Sequence, residues 1–158
     1  MRQIILVMIM GVILVISGCT SMNIAHEKEI SYIVEIPSHS KEQIFDGAKI
    51  WIAQNFRSAK AVLEYENRDE GVLIGNGIES YPCFMGCGNK GSMNVSYTMR
   101  IDIKDNKIKL SFFNLLSEYS GSGIAYSKRD EDGVKPKLMS YGEKLRDSID
   151  KDSKSDDW

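Results

Sequence analysis

Several signals that would name a chemistry are missing from this sequence. It has three cysteines and two histidines in 158 residues. A structural zinc site needs about four ligands, and here only Cys83 and Cys87 stand close together, with His26 and His39 far off in sequence. No G-x-S-x-G occurs, which removes the usual nucleophile elbow of a hydrolase. No pair of carboxylates stands out from the surface charge. There is no basic cluster, which argues against nucleic-acid binding and against a polybasic membrane patch. No internal repeat is visible, and no apolar run reaches the roughly 20 residues that span a bilayer.

What is present begins at the first residue. MRQIILVMIMGVILVISGC has a basic residue, Arg2, then a thirteen-residue apolar stretch from Ile4 to Ile16 broken only by Gly11, then small residues. That order is a secretory signal peptide, 1–18. Its end, Ile16-Ser17-Gly18-Cys19, resembles the lipobox of bacterial lipoproteins. The resemblance implies that Cys19 becomes the first mature residue and carries lipid. Two or more acyl chains hold a protein stably at a membrane where one does not. Thr20 follows where an Asp would retain the protein at the inner membrane, so the expected address is the cell envelope, at the outer membrane and facing the periplasm. Residues 19–30 read as a lipidated tether.

Without residues 1–18 the chain has 140 residues; losing Arg2 leaves 19 basic against 22 acidic groups, a net charge of about −3. That length suits one domain, taken as 31–150, with 151–158 a polar tail. In an oxidising compartment the remaining even pair, Cys83 and Cys87, is expected to form a disulfide. Closing that five-residue ring contributes roughly 2 kcal/mol on the chain-entropy model. A redox pair is usually C-x2-C at a helix start, and here the spacing is C-x3-C among Gly, Pro and Asn.

Along the mature chain, Ser31–Ile36 reads as a strand. Ser40-Lys-Glu-Gln43 has capping-box form and opens a helix whose apolar stripe includes Ile44, Ala48, Trp51 and Ile52. Trp51 is expected in the core rather than as a ligand platform. Residues 61–66 and 72–78 alternate as two strands about the turn residues 67–71. Gly75 and Gly77 are too closely spaced for a phosphate loop, and a helix is expected to pack over them.

The clearest pattern is Val95, Tyr97, Met99, Ile101 and Ile103 alternating with polar residues, followed by the turn Asp105-Asn106. A two-residue hairpin pairs Ile103 with Ile108, Ile101 with Leu110 and Met99 with Phe112, all on one face, and sets Asp102 opposite Lys109. On the other face Phe113 and Leu115 are expected to point outward with Val62 and Leu73. Either the following loop covers them, or they form an exposed apolar patch suited to interaction. Residues 117–136 read as a long loop with a solvated charged tip, Arg129–Asp132, and Pro136 as the first turn of a helix carrying Leu138, Tyr141, Leu145 and Ile149 along one side.

The fold expected is α+β: an antiparallel sheet of four to five strands covered on one face by two helices, in the order β-α-β-β-β-β-α. Three blocks, AKIWIAQNF, AVLEYENRDEGVLIGNGI and YTMRIDIKDNKIKL, resemble a bacterial family of unknown function, common in secreted proteins and lipoproteins, with a TATA-binding-protein-like (TBP-like) fold. The likeness spans about residues 31–116. It implies the fold and brings no activity, catalytic residue or cofactor. The functional expectation is a non-catalytic, membrane-anchored module that binds an envelope protein or peptide and no nucleic acid or metal. Two alternatives stay open. One is a hydrolase using His39 beside Ser38 and Ser40; the other is a thiol-disulfide protein using Cys83 and Cys87.

Overall fold

The computed structural model describes residues 29–56, 63–83, 91–119 and 122–152. Its elements are β1 (Ile30–Glu35), α1 (Lys41–Asn55), β2 (Leu63–Asn67), β3 (Val72–Pro82), β4 (Ser92–Lys104), β5 (Lys107–Tyr119), β6 (Ser122–Ala125) and α2 (Lys128–Asp152). All pairings are antiparallel, in the order β1-β5-β4-β3-β2. The thirteen-residue β5 has room for two partners on one edge: β1 pairs with its first half and β6 with its last residues. Both helices lie on one face and close the core with it.

The β4–β5 hairpin has the register its alternation predicts. Ile103 pairs with Ile108, Ile101 with Leu110, Met99 with Phe112, and Asp102 with Lys109. Asn106 takes φ 64°, a left-handed value that asparagine tolerates better than most residues. The turn also fixes the entry to α1. The Ile36 amide donates to the Asn106 carbonyl at 2.7 Å, and the Asn106 amide donates to the His39 carbonyl at 3.0 Å. The Ser38 amide donates to Asn106 Oδ1 at 2.9 Å. The Lys41 amide donates to Asp105 Oδ1 at 2.8 Å, which places a carboxylate at the positive end of the helix dipole. Ser40 and Gln43 complete the expected capping box.

α1 buries Ile44, Phe45, Ala48 and Trp51, and α2 buries Val134, Leu138, Tyr141, Leu145 and Ile149, spacings that keep each set on one helical face. These pack on Ile101, Ile103, Ile108, Leu110 and Phe112, each 1% exposed or less.

Five expectations need correction. Leu115 does not point outward. Thr98 pairs with Phe113 but Ser96 with Leu116, so β5 carries one extra residue at a bulge, and Asn114 there has φ 52°. One inserted residue inverts every later side chain. Leu115 is therefore buried, Leu116 is 49% exposed, and Ser117 turns inward. Leu73 is also core: it pairs with Ile101 and shares its inward face. Phe113 alone of the proposed outer group is half-buried on that side, and Val62 lies outside the described residues.

The segment 117–136 is not a long loop. β5 runs on to Tyr119, β6 follows, and α2 begins at Lys128. Pro136 sits inside α2, not in its first turn. Its missing N–H costs the Asp132 carbonyl a helical partner, and both residues are exposed, where water can serve that carbonyl. The tip is not wholly solvated either, because Asp130 and Glu131 are each 4% exposed.

Asn114→Val should be less stable than Asn114→Gly by about 1–2 kcal/mol, the penalty a side chain branched at Cβ meets in the left-handed region. Both variants lose the Asn114 bond to Thr98, so the difference isolates the backbone. Equal urea midpoints at equal slope would show that the bulge does not need this conformation.

Candidate functional site

A cleft of about 260 Å³ opens between the end of α1, β3 and α2, lined by Trp51, Asn55, Phe56, Ile78, Glu79, Tyr141 and Lys144. A shallower depression of about 400 Å³ continues from it along Gln54, Asp147, Ser148 and Lys151. Its wall is a mutual edge-to-face set. Trp51 lies 5.4 Å from Phe56 and 5.6 Å from Tyr141, and Phe56 lies 5.6 Å from Tyr141, between ring centroids. The Lys144 ammonium stands 5.8 Å from the Tyr141 ring centroid.

Glu79 enters this wall because the inward side of β3 is Leu73, Gly75, Gly77, Glu79 and Tyr81 in alternation. Tyr141 donates to Glu79 Oε2, and Tyr97 donates to the Tyr141 oxygen at 3.2 Å. Lys137 Nζ donates to Glu79 Oε1 at 2.9 Å and also to the Ser80 carbonyl. Burial pushes the Glu79 carboxyl up, but the hydrogen bonds from Tyr141 and Lys137 outweigh it, and the group sits below its ordinary range. Burial, more than any partner, drives the Tyr141 hydroxyl far up. Gly77 makes the relay possible. A Cβ there would meet the Tyr97 ring at 2.6 Å, so a cross-strand tyrosine lies directly over Gly77, while Ile52 and Phe56 from the end of α1 stand about Gly75.

A second buried polar cluster lies at the end of the sheet away from the 105–106 turn. Asp130 accepts from Tyr81 at 2.7 Å, from Ser117 at 3.0 Å, and from the Ser127 amide and hydroxyl. The Asp130 amide donates back to Ser127 Oγ, so Ser127 and Asp130 form a reciprocal cap for α2. Burial raises the Asp130 carboxyl, yet the donors from Ser127, Tyr81 and Ser117 hold it below the ordinary range. Burial and Asp130 together push the Tyr81 hydroxyl up to about 12. Gly133 lets the helix approach, since a Cβ there would meet the Tyr81 ring at 2.3 Å. The Tyr126 hydroxyl beside this cluster is buried without a hydrogen-bond partner.

Of the residues the sequence nominates, Cys19 and Cys87 lie outside the described residues. Cys83 is buried; its sulfur accepts from Arg129, and its amide donates to the Gly91 carbonyl at 3.0 Å. Trp51 is core, as its helical spacing implied. His39 Nδ1 donates to the Pro37 carbonyl at 2.9 Å and stands 3.9 Å from Asp150, and no hydrogen bond joins it to Ser38 or Ser40. Ser40 is occupied as the cap of α1. Among the described residues no group of three or more His, Cys, Asp or Glu is placed to hold a metal, and no helix is long and apolar enough to cross a membrane. The sequence reading missed Glu79 and Asp130. The inward parity of β3 marks the first, and Ser127-x-x-Asp130 in capping-box form marks the second.

An antiparallel sheet with two helices on one face defines this as an α+β protein of TBP-like fold. The chain belongs to the DUF4468 family, a domain of unknown function with TBP-like fold, whose model matches residues 31–117. Two solved structures are similar. A DUF4468 family protein from Bacteroides ovatus is 16% identical with TM-score 0.55, over 79% of this chain and 81% of that one. A TBP-like protein from Parabacteroides distasonis is 15% identical with TM-score 0.56, over 78% and 93%. At these identities the likeness shows the fold alone. No protein of curated function matches the chain.

Both depressed carboxyls set a pH dependence. Their stability is fully present above the unfolded values, 4.5 for Glu79 and 3.8 for Asp130, and is lost as pH falls through the folded values. Urea melts from about pH 7 down to about pH 3 should therefore show a shallower acid loss in Glu79→Gln than in wild type. An unchanged acid limb would remove Glu79 from this account. Asp130→Ala strands four donors, from Tyr81, Ser117 and Ser127, and should cost about 3 kcal/mol or more at neutral pH; a loss under about 1 kcal/mol would mean that those groups find water instead.

Proposed function

We propose that this chain is a non-catalytic lipoprotein, anchored through Cys19 at the outer membrane of the cell envelope, whose single α+β domain binds an envelope protein or peptide. The observation that carries the reading is the order of residues 1–19, a basic residue, a thirteen-residue apolar stretch and Ile16-Ser17-Gly18-Cys19. Strand β1 starts at Ile30, so only a short spacer separates the anchor from the folded part. Cys83 and Cys87 clasp the loop between β3 and β4. The buried Cys83 sulfur and the Cys83–Gly91 backbone bond across the loop base support that clasp. The module needs no cofactor and no metal. Nucleic acid does not suit it, because the fold name carries no activity and the mature charge is slightly negative.

Metabolic labelling with an alkyne palmitate tests the anchor. Wild type should take up label, fractionate with outer membranes and have an intact mass lacking residues 1–18. Cys19→Ala should lose both label and membrane association. Unlabelled wild type that retains its first eighteen residues would defeat the reading.

A further inference from the structure

Among the described residues the strand order β1-β5-β4-β3-β2, with the short β6 beside β1 on β5, ends on two strands that are guarded differently. β2 is interrupted by a bulge between Leu63 and Tyr65 and carries Glu64 and Glu66. Irregularity and charge of this kind deter the addition of another strand. β1, with the sequence ISYIVE, has no lysine, no proline and no bulge, and it exposes Ile33 at 63%. It pairs with β5 on one side and ends the strand order on the other. Its backbone directions follow from one bond. The Ile36 amide donates to the Asn106 carbonyl, and a two-residue alternation then turns the amides and carbonyls of Ile30, Tyr32 and Val34 toward β5. Ser31, Ile33 and Glu35 present theirs to the open edge.

We propose that β1 is the surface through which two copies of this chain pair, edge to edge and antiparallel, with Ile33 opposite Ile33 of the partner subunit. This register sets Ser31 opposite the partner's Glu35 and Tyr32 opposite the partner's Val34. The residues whose backbone groups face outward then meet each other, and about six ladder hydrogen bonds form. The faces agree as well: Ile33 meets its counterpart on the outer side, and the half-buried Tyr32 and Val34 meet on the helix side. No like charges oppose, since Glu35, the strand's one charged residue, meets a serine. The edge is also firmly backed. The Tyr32 hydroxyl donates to the Leu138 carbonyl at 2.6 Å and accepts from the Gly142 amide at 3.1 Å, which ties β1 to α2.

The proposal rests on the reading of the chain as an interaction module, and it names the partner as a second copy. A strand-edge contact is smaller than the roughly 1,200–2,000 Å² of a stable interface, so it is weak between free molecules. Two chains held in one membrane supply the missing effective concentration.

The test is cross-linking of the full chain in its native envelope. Ile33→Cys should run at twice the monomer mass on a non-reducing gel and return to monomer with reductant, with the linkage mapped to position 33. Ser31→Cys alone, and Ile50→Cys on the exposed side of α1, should stay monomeric. Ser31→Cys and Glu35→Cys carried on differently tagged copies should give a mixed dimer. A monomeric Ile33→Cys, or an equal dimer from Ile50→Cys, overturns the proposal. Linkage of position 33 to a different protein also overturns it, while leaving the interaction-module reading intact; palmitate labelling reports on the anchor independently.

Discussion

The two-residue turn at Asp105 and Asn106 sets the register of β4 against β5, and the inward side chains of that hairpin, up to the bulge at Asn114, inherit their face from it. The same turn is bonded to Ile36, Ser38, His39 and Lys41, so the end of β1 and the start of α1 are fixed to it. A slip of β5 by one residue would turn Ile108, Leu110 and Phe112 to solvent at once, away from Ile101 and Ile103. Local turn chemistry and global burial therefore select one arrangement, the agreement between levels that marks a sequence with a single native state.

The two ends of the sheet are held by different physics. At the turn end the joints are backbone amides donating to the Asn106 and His39 carbonyls and to the short side chains of Asp105 and Asn106. At the far end they are side-chain networks, Glu79 with Tyr141 and Lys137, and Asp130 with Tyr81, Ser117 and Ser127. Buried carboxylates cost desolvation energy and repay it only when each oxygen is matched. Here the donors are matched well enough to depress both acids despite burial. The result is geometric specificity where β3, β5 and the start of α2 converge.

Much of this was legible in the sequence, and the failures have identifiable causes. The hairpin register, the α1 capping box and the Leu138–Ile149 stripe follow from spacing alone. Leu115 was misplaced because alternation carries no warning of an inserted residue, although Asn114, a residue type that tolerates positive φ, was the available hint. Leu73 was misplaced because β3 and β4 are not joined by a two-residue turn, so spacing alone does not set the register that pairs it with Ile101. The start of α2 was misread because Pro136 is a stronger local mark than Ser127-x-x-Asp130. In the structure the cap won, since Asp130 also satisfies Tyr81 and Ser117, partners that no local window contains.

The apolar interior is complete with one sheet face and two helices, so the opposite face owes the fold little beyond polarity. It meets that need with the Arg100–Asp102 pair and the Asn76–Thr98–Asn114 ladder, which share no geometry with a reacting centre. The Glu79 cleft has its carboxylate saturated by Tyr141 and Lys137 and its tryptophan 2% exposed, so its groups serve packing first. Among the described residues, β1 ends the strand order with no further strand beside it. Backbone groups recognise another strand by direction and spacing, independent of side-chain identity.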